Sequence, residues 1–271
     1  MRNRFMFPAL VLFGLAMMGC GGGGGSAQKN EHAAETPAKT PASTPAATPA
    51  AAPAGGAMNS VVRGTVKFEG TAPKGEKLKM DADPVCKGLH TDAVYPEEVV
   101  VNPNNTLRWV MVYVKDGLGT RTFPTPTTPV TLDQHGCQYK PHVFGMMAGQ
   151  GVKIVNSDAT LHNIHPMPKV NSQFNVGMPK VGEIMKNFDK PEDPFHIKCD
   201  VHKWMSSYCG VFSHPYFSVT NESGEFELKG LPAGTYKVVA WHEKYGTKEM
   251  DVTVGDGETK AVDFSFAETG A

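Results

Sequence analysis

The stretch Ile197-Lys198-Cys199-Asp200-Val201-His202-Lys203-Trp204-Met205 sets a thiol, an imidazole and a thioether in the order C-x-x-H-x-x-M. Few structural roles ask for that set. A soft thiolate with imidazoles and a weak thioether suits copper cycling between Cu(I) and Cu(II), because one mixed geometry is tolerable to both charge states. A second imidazole is needed. The candidate lies upstream in Val155-Asn156-Ser157-Asp158-Ala159-Thr160-Leu161-His162-Asn163-Ile164-His165, where an alternating strand runs out into a loop ending at His162-Asn163. His162, Cys199, His202 and Met205 are therefore the expected ligands of one copper ion.

Plainer readings stand beside these. Cys199 could pair with Cys209 in an oxidising compartment, and Met205 could be core filling. His165 reads as an extra ligand, a docking group or an ordinary loop histidine. Met167, Met178 and Met185 would attract Cu(I) or fill irregular core space. His142, His196, His214 and His242 have no ligand spacing that sets them apart.

Strands must position these groups. Apolar residues alternate through Val62, Gly64, Val66 and Phe68, through Trp109, Met111 and Tyr113, and through Val152 and Ile154. Turn signals such as Pro103-Asn104-Asn105, Asp116-Gly117 and Gly255-Asp256-Gly257 recur at short intervals, and no capped helical pattern of ordinary length intervenes. The expectation is an all-β chain of packed sheets. From Phe217 to Phe266 five further apolar runs follow, each bounded by Gly, Pro or Asn.

The two ligand segments resemble the cupredoxin family of Greek-key β-sandwiches, which includes plastocyanins and amicyanins. The strand ending in Asn156, the His162-Asn163 pair and the short C-x-x-H-x-x-M spacing are similar to amicyanin, and Tyr139-Lys140-Pro141-His142 with Ala148-Gly149-Gln150 matches the preceding strand and turn. The resemblance spans residues 107–214. It implies one type 1 copper site, with Asn163 bracing the two ligand loops and His202 near the surface beside Trp204, at a docking patch. Thr220-Asn221-Glu222-Ser223-Gly224-Glu225-Phe226, leading to Gly230-Leu231-Pro232-Ala233-Gly234-Thr235-Tyr236, resembles the carboxypeptidase regulatory-like family, a small transthyretin-like β-sandwich. That segment offers few strands for a sandwich. Residues 61–75 look like the family's opening strand and would complete it around an inserted copper module. The expected division is a copper domain at 59–214 and a regulatory-like domain at 215–268.

Arg2 and Arg4 followed by the apolar Phe5 to Met18 read as a leader of residues 1–19. Leu15-Ala16-Met17-Met18-Gly19-Cys20 resembles the lipobox of bacterial lipoproteins, with Met17 departing from the usual Leu; it implies lipidation at Cys20. Residues 20–58, rich in Gly, Ala, Pro and Thr, read as a flexible tether. With Cys20 and Cys199 assigned, Cys86, Cys137 and Cys209 remain, an odd number. A Cys86–Cys137 disulfide is expected, pinning the long loop after the first strand to the strand entering the copper module and leaving Cys209 a buried thiol.

Lys plus Arg number 26 against 27 Asp plus Glu, a formal charge of -1 that argues against nucleic acid as a partner. The resulting expectation is an exported, lipid-anchored carrier of single electrons in the cell envelope, facing the periplasm or held at the outer membrane. It would pass electrons to a redox protein partner, with no small-molecule substrate and no enzymatic activity. Copper capture or buffering, and a surface binding or scaffold role for the C-terminal segment, are the alternatives.

Overall fold

The computed structural model describes residues 57–268. The expected leader at 1–19, the lipidation residue Cys20 and the tether as far as residue 56 lie outside the described residues.

β1 (Ser60–Glu69) leads into a long irregular strap that carries one short helix, α1 (Pro84–Gly88), before β2 (Met111–Asp116). Then come β3 (Val130–Gln134), β4 (Tyr139–Lys140), β5 (Val143–Met147), β6 (Gly151–Asn156) and β7 (His162–Pro166). They are followed by β8 (Val176–Met178), β9 (Gly182–Asn187), β10 (Glu192–Lys198) and β11 (Ser206–Phe212). The chain continues with β12 (Phe217–Val219), β13 (Glu225–Leu231) and β14 (Gly234–His242), then β15 (Gly246–Val254), β16 (Thr259–Ala261) and β17 (Phe264–Ala267). The protein is all-β.

The strands pack as two sandwiches, one inserted into the other. The inserted sandwich stacks the sheet β5-β11-β10-β7-β8 on the sheet β4-β3-β6-β9. Its core holds Leu132, Tyr139, Met146, Ile154, Ile164 and Ile197. The terminal sandwich is built from both ends of the described chain. β1 lies between β13 and β16 and also pairs with β17, while β2 lies between β12 and β14. Its core is made of the inward residues of those strands, among them Val62, Val66, Val112, Leu228, Tyr236, Val238 and Phe264. Gly64 sits where β1 crosses the chain entering β17: a Cβ there would lie 1.8 Å from the Val262 carbonyl oxygen, so only glycine fits.

β1, from the segment 61–75 expected to complete the C-terminal sandwich, and β2, from within the residues 107–214 read as copper domain, both hydrogen-bond within the terminal sandwich. The physical reason is that β2 is buried on both faces. Val112 and Val114 point into the terminal core, whereas Met111 and Tyr113 pack with Val143, Phe212 and Val239 in a smaller cluster at the junction. An apolar face turned toward the inserted sandwich made β2 look like one of its strands.

Candidate metal centre

Two loops at one end of the inserted sandwich bring the donors together. The first joins β6 to β7 and is shaped by Asn156, whose Nδ2 donates to the Thr160 and Met178 carbonyls at 3.0 and 2.9 Å while Oδ1 accepts from Asp158 N at 3.0 Å. This delivers His162 to the start of β7. The second loop joins β10 to β11 and is a tight wrap around sulfur. His202 N donates to Cys199 Sγ at 3.3 Å, Met205 N donates to the His202 carbonyl at 2.9 Å, and Cys199 N donates to the Met205 carbonyl at 3.3 Å.

Asn163 joins the loops. Its Oδ1 accepts from Asp200 N at 2.6 Å and from the Cys199 thiol at 3.2 Å, so the thiol-bearing turn is held against the strand that carries His162.

The Nδ1 atoms of His162 and His202 lie 2.9 Å apart, and both share a space with Cys199 Sγ in which the three donor atoms are within 4.8 Å of one another. All are sequestered: His162 is 0% exposed, Cys199 2%, His202 3% and Met205 1%. Met205 belongs to the same core cluster as Cys199. Each imidazole gives its other nitrogen to a carboxylate, His162 Nε2 to Asp158 at 2.9 Å and His202 Nε2 to Asp83 at 3.0 Å.

Asp158 is in turn gripped by two backbone amides, Gly136 N at 2.9 Å and Cys137 N at 2.7 Å. These belong to the turn between β3 and β4, where both residues take positive φ (67° and 52°) and so present consecutive N–H groups to one carboxylate.

The charges follow from this wiring. Burial pulls the His162 pKa down, but hydrogen bonds and attraction to Asp158 and Cys199 overcome it, and the group is raised to about 9. Burial dominates at His202 and, helped by the charge on His162, lowers it against the pull of Asp83. Burial would raise the Cys199 thiol, yet hydrogen bonds from His162 and from the amides of Asn163, His202 and Val201 outweigh it and lower the pKa. One displaceable proton thus sits on His162 between a thiolate-prone sulfur and a neutral imidazole. With two carboxylates behind the rings, the centre is a buried, electron-rich pocket that fits a thiophilic metal cation.

Other sequence expectations fare differently. His165 stands two positions beyond Asn163 on the far face of β7, where its Nδ1 bonds Asp200 at 2.8 Å, and it is not part of the donor cluster. His202 is not at the surface, because the strap lays Asp83 across its outer edge. Cys86 and Cys137 are joined in a disulfide, and Cys199 and Cys209 are both free. Sequence reasoning missed Asp158 and Asp83. Asp158 precedes His162 by four residues and reads as a turn residue; Asp83 before Pro84 carries only the signature of a helix start.

Residues 213–267 match the model of the carboxypeptidase regulatory-like domain family. Among solved structures, the chain is similar to a copper-containing nitrite reductase from Thermus scotoductus SA-01, at 18% identity and a TM-score of 0.30, covering 35% of this chain and 26% of that one. The chain thus spans about a quarter of that reductase's length. A purple cupredoxin from Nitrosopumilus maritimus aligns at 17% identity and a TM-score of 0.27, covering 30% of this chain and 98% of that one. An oxidised amicyanin variant aligns at 20% identity and a TM-score of 0.28, covering 31% and 81%. No curated protein matches the chain.

Proposed function

We propose that this chain is a copper protein carrying single electrons, with His162, Cys199, His202 and Met205 as the ligands of one type 1 ion. The observation that carries the reading is the convergence of two imidazole Nδ1 atoms, 2.9 Å apart, on the buried and acidified Cys199 thiol. Copper bound there supplies a one-electron couple. The chain's own part is to keep the donors still in both charge states. The His202 amide and Asn163 pin the sulfur, the carboxylates pin the rings, and burial excludes water. A centre whose donors are all protein groups favours a carrier over an enzyme.

The leader and the Cys20 motif support a lipid anchor on the cell envelope, with the tether giving reach toward a redox protein partner. The test is visible absorption and electron paramagnetic resonance of the purified protein after adding Cu(II). The expected result is an intense thiolate-to-copper band that is lost in Cys199→Ser; a colourless wild-type protein would refute the site.

The closure of the His202 edge favours a second reading, retention of copper without redox turnover. Stopped-flow reduction by a small inorganic complex separates the two. Fast reduction supports transfer, and a bound ion that resists reduction supports storage.

A further inference from the structure

Asp83 reaches the centre from outside the inserted sandwich, on the strap that leaves β1 of the terminal one. Its two oxygens do different jobs. Oδ1 accepts from Val85 N at 2.8 Å and Cys86 N at 3.2 Å, which caps α1. Oδ2 accepts from Thr160 Oγ1 at 2.8 Å and faces His202 Nε2 at 3.0 Å. A carboxylate so placed is an acceptor only, so His202 carries its proton on Nε2 and leaves a bare Nδ1 lone pair 2.9 Å from His162 Nδ1, inside the donor cluster.

The strap is fixed on the inserted sandwich by Met80, buried in its core, by His90 Nε2 on the Gly136 carbonyl at 2.7 Å, and by the Cys86–Cys137 disulfide. Cys86 Sγ lies 3.6 Å from His202 Nε2, and Cys137 N holds Asp158. One covalent link therefore joins the two segments that place the two carboxylates, one behind each imidazole. The Trp204 indole, 4.9 Å from the His202 ring and donating to the Cys137 carbonyl at 3.0 Å, closes the remaining flank.

We infer that Asp83 is a positioning residue for the metal centre: acting through His202, it fixes the metal-facing nitrogen and favours the more highly charged state of the bound ion, while its strap seals the imidazole's outer edge. The inference rests on the copper reading above. An imidazole whose remote N–H is given to a carboxylate is a stronger donor, and stronger donation favours Cu(II) over Cu(I).

The test compares the full chain with Asp83→Asn, which keeps a capping oxygen for α1 but removes the charge, and with Thr160→Val, which frees Oδ2 on one side. With copper bound, Asp83→Asn should raise the ratio of Cu(I) to Cu(II) affinity by about tenfold, a shift of about 59 mV in a one-electron potential. Thr160→Val, which keeps the charge and leaves Oδ2 a stronger acceptor for His202, should shift it less and in the opposite direction. An unchanged potential in an Asp83→Asn protein that keeps the thiolate band overturns the inference.

If the wild type gives no thiolate band, the copper reading fails, and the metal-free protein decides the rest. A slowly exchanging His202 Nε2 proton in nuclear magnetic resonance, lost in Asp83→Ser, upholds the clamp. A freely exchanging proton in the wild type overturns it.

Discussion

Asp158 and Asp83 occupy the ring nitrogens that His162 and His202 turn away from Cys199, and this wiring sets the acid–base behaviour of the centre. With its pKa raised to about 9 from 6.5, His162 contributes stability to the metal-free fold that is full below pH 6.5 and is lost as pH rises through about 9. On the copper reading proposed above, the ion must displace that proton. Affinity should therefore climb with pH toward about 9 and level off above it, and the lowered Cys199 thiol adds proton release only at more acidic pH. Chelator competition across this range measures the profile, and a flat one contradicts the wiring. The convergence of His162, Cys199 and His202 was legible because they sit in two short segments with telling spacing, and Asn163 stood out beside His162. Asp83 was not, since 119 positions separate it from His202 and only the folded strap brings them together.

The strap and its disulfide bridge the β6–β7 and β10–β11 loops from outside the inserted sandwich. The link spans 51 residues of chain, enough to remove about 2–4 kcal/mol of unfolded-state entropy. Replacing both Cys86 and Cys137 by Ser should lower stability by about that amount in denaturant unfolding, with the loss visible in a shifted midpoint. Equal midpoints would mean that the non-covalent contacts of the strap, those of Met80, His90 and Asp83 among them, hold it without help from the disulfide. The strands were legible from alternation wherever one face meets water, as in β6, whose residues alternate between buried and half-buried. β2 defeated that reading because both of its faces are covered, and α1 is a single short turn in which no period can show.

The terminal sandwich closes only with strands from far up the chain. Residues 213–267, the part that matches the regulatory-like family, contain β12 to β17 but neither β1 nor β2, the neighbours that complete its two sheets. Expressed alone, this segment should show no cooperative unfolding transition by circular dichroism, and a sharp transition would show that β1 and β2 are dispensable. That architecture also fixes an order of assembly. As the chain is synthesised, β1 must wait for β13, β16 and β17, all of which follow the inserted sandwich. The insertion leaves and returns at hydrogen-bonded neighbours, with Val114 N donating to the Tyr216 carbonyl at 3.1 Å. Until it condenses, pairing β2 with β12 means closing a long floppy loop; once it has condensed, the two ends are already side by side. Condensation of the inserted sandwich should therefore precede closure of the terminal one around its ends, and until β13, β16 and β17 arrive the apolar face of β1 has no partner strands beside it.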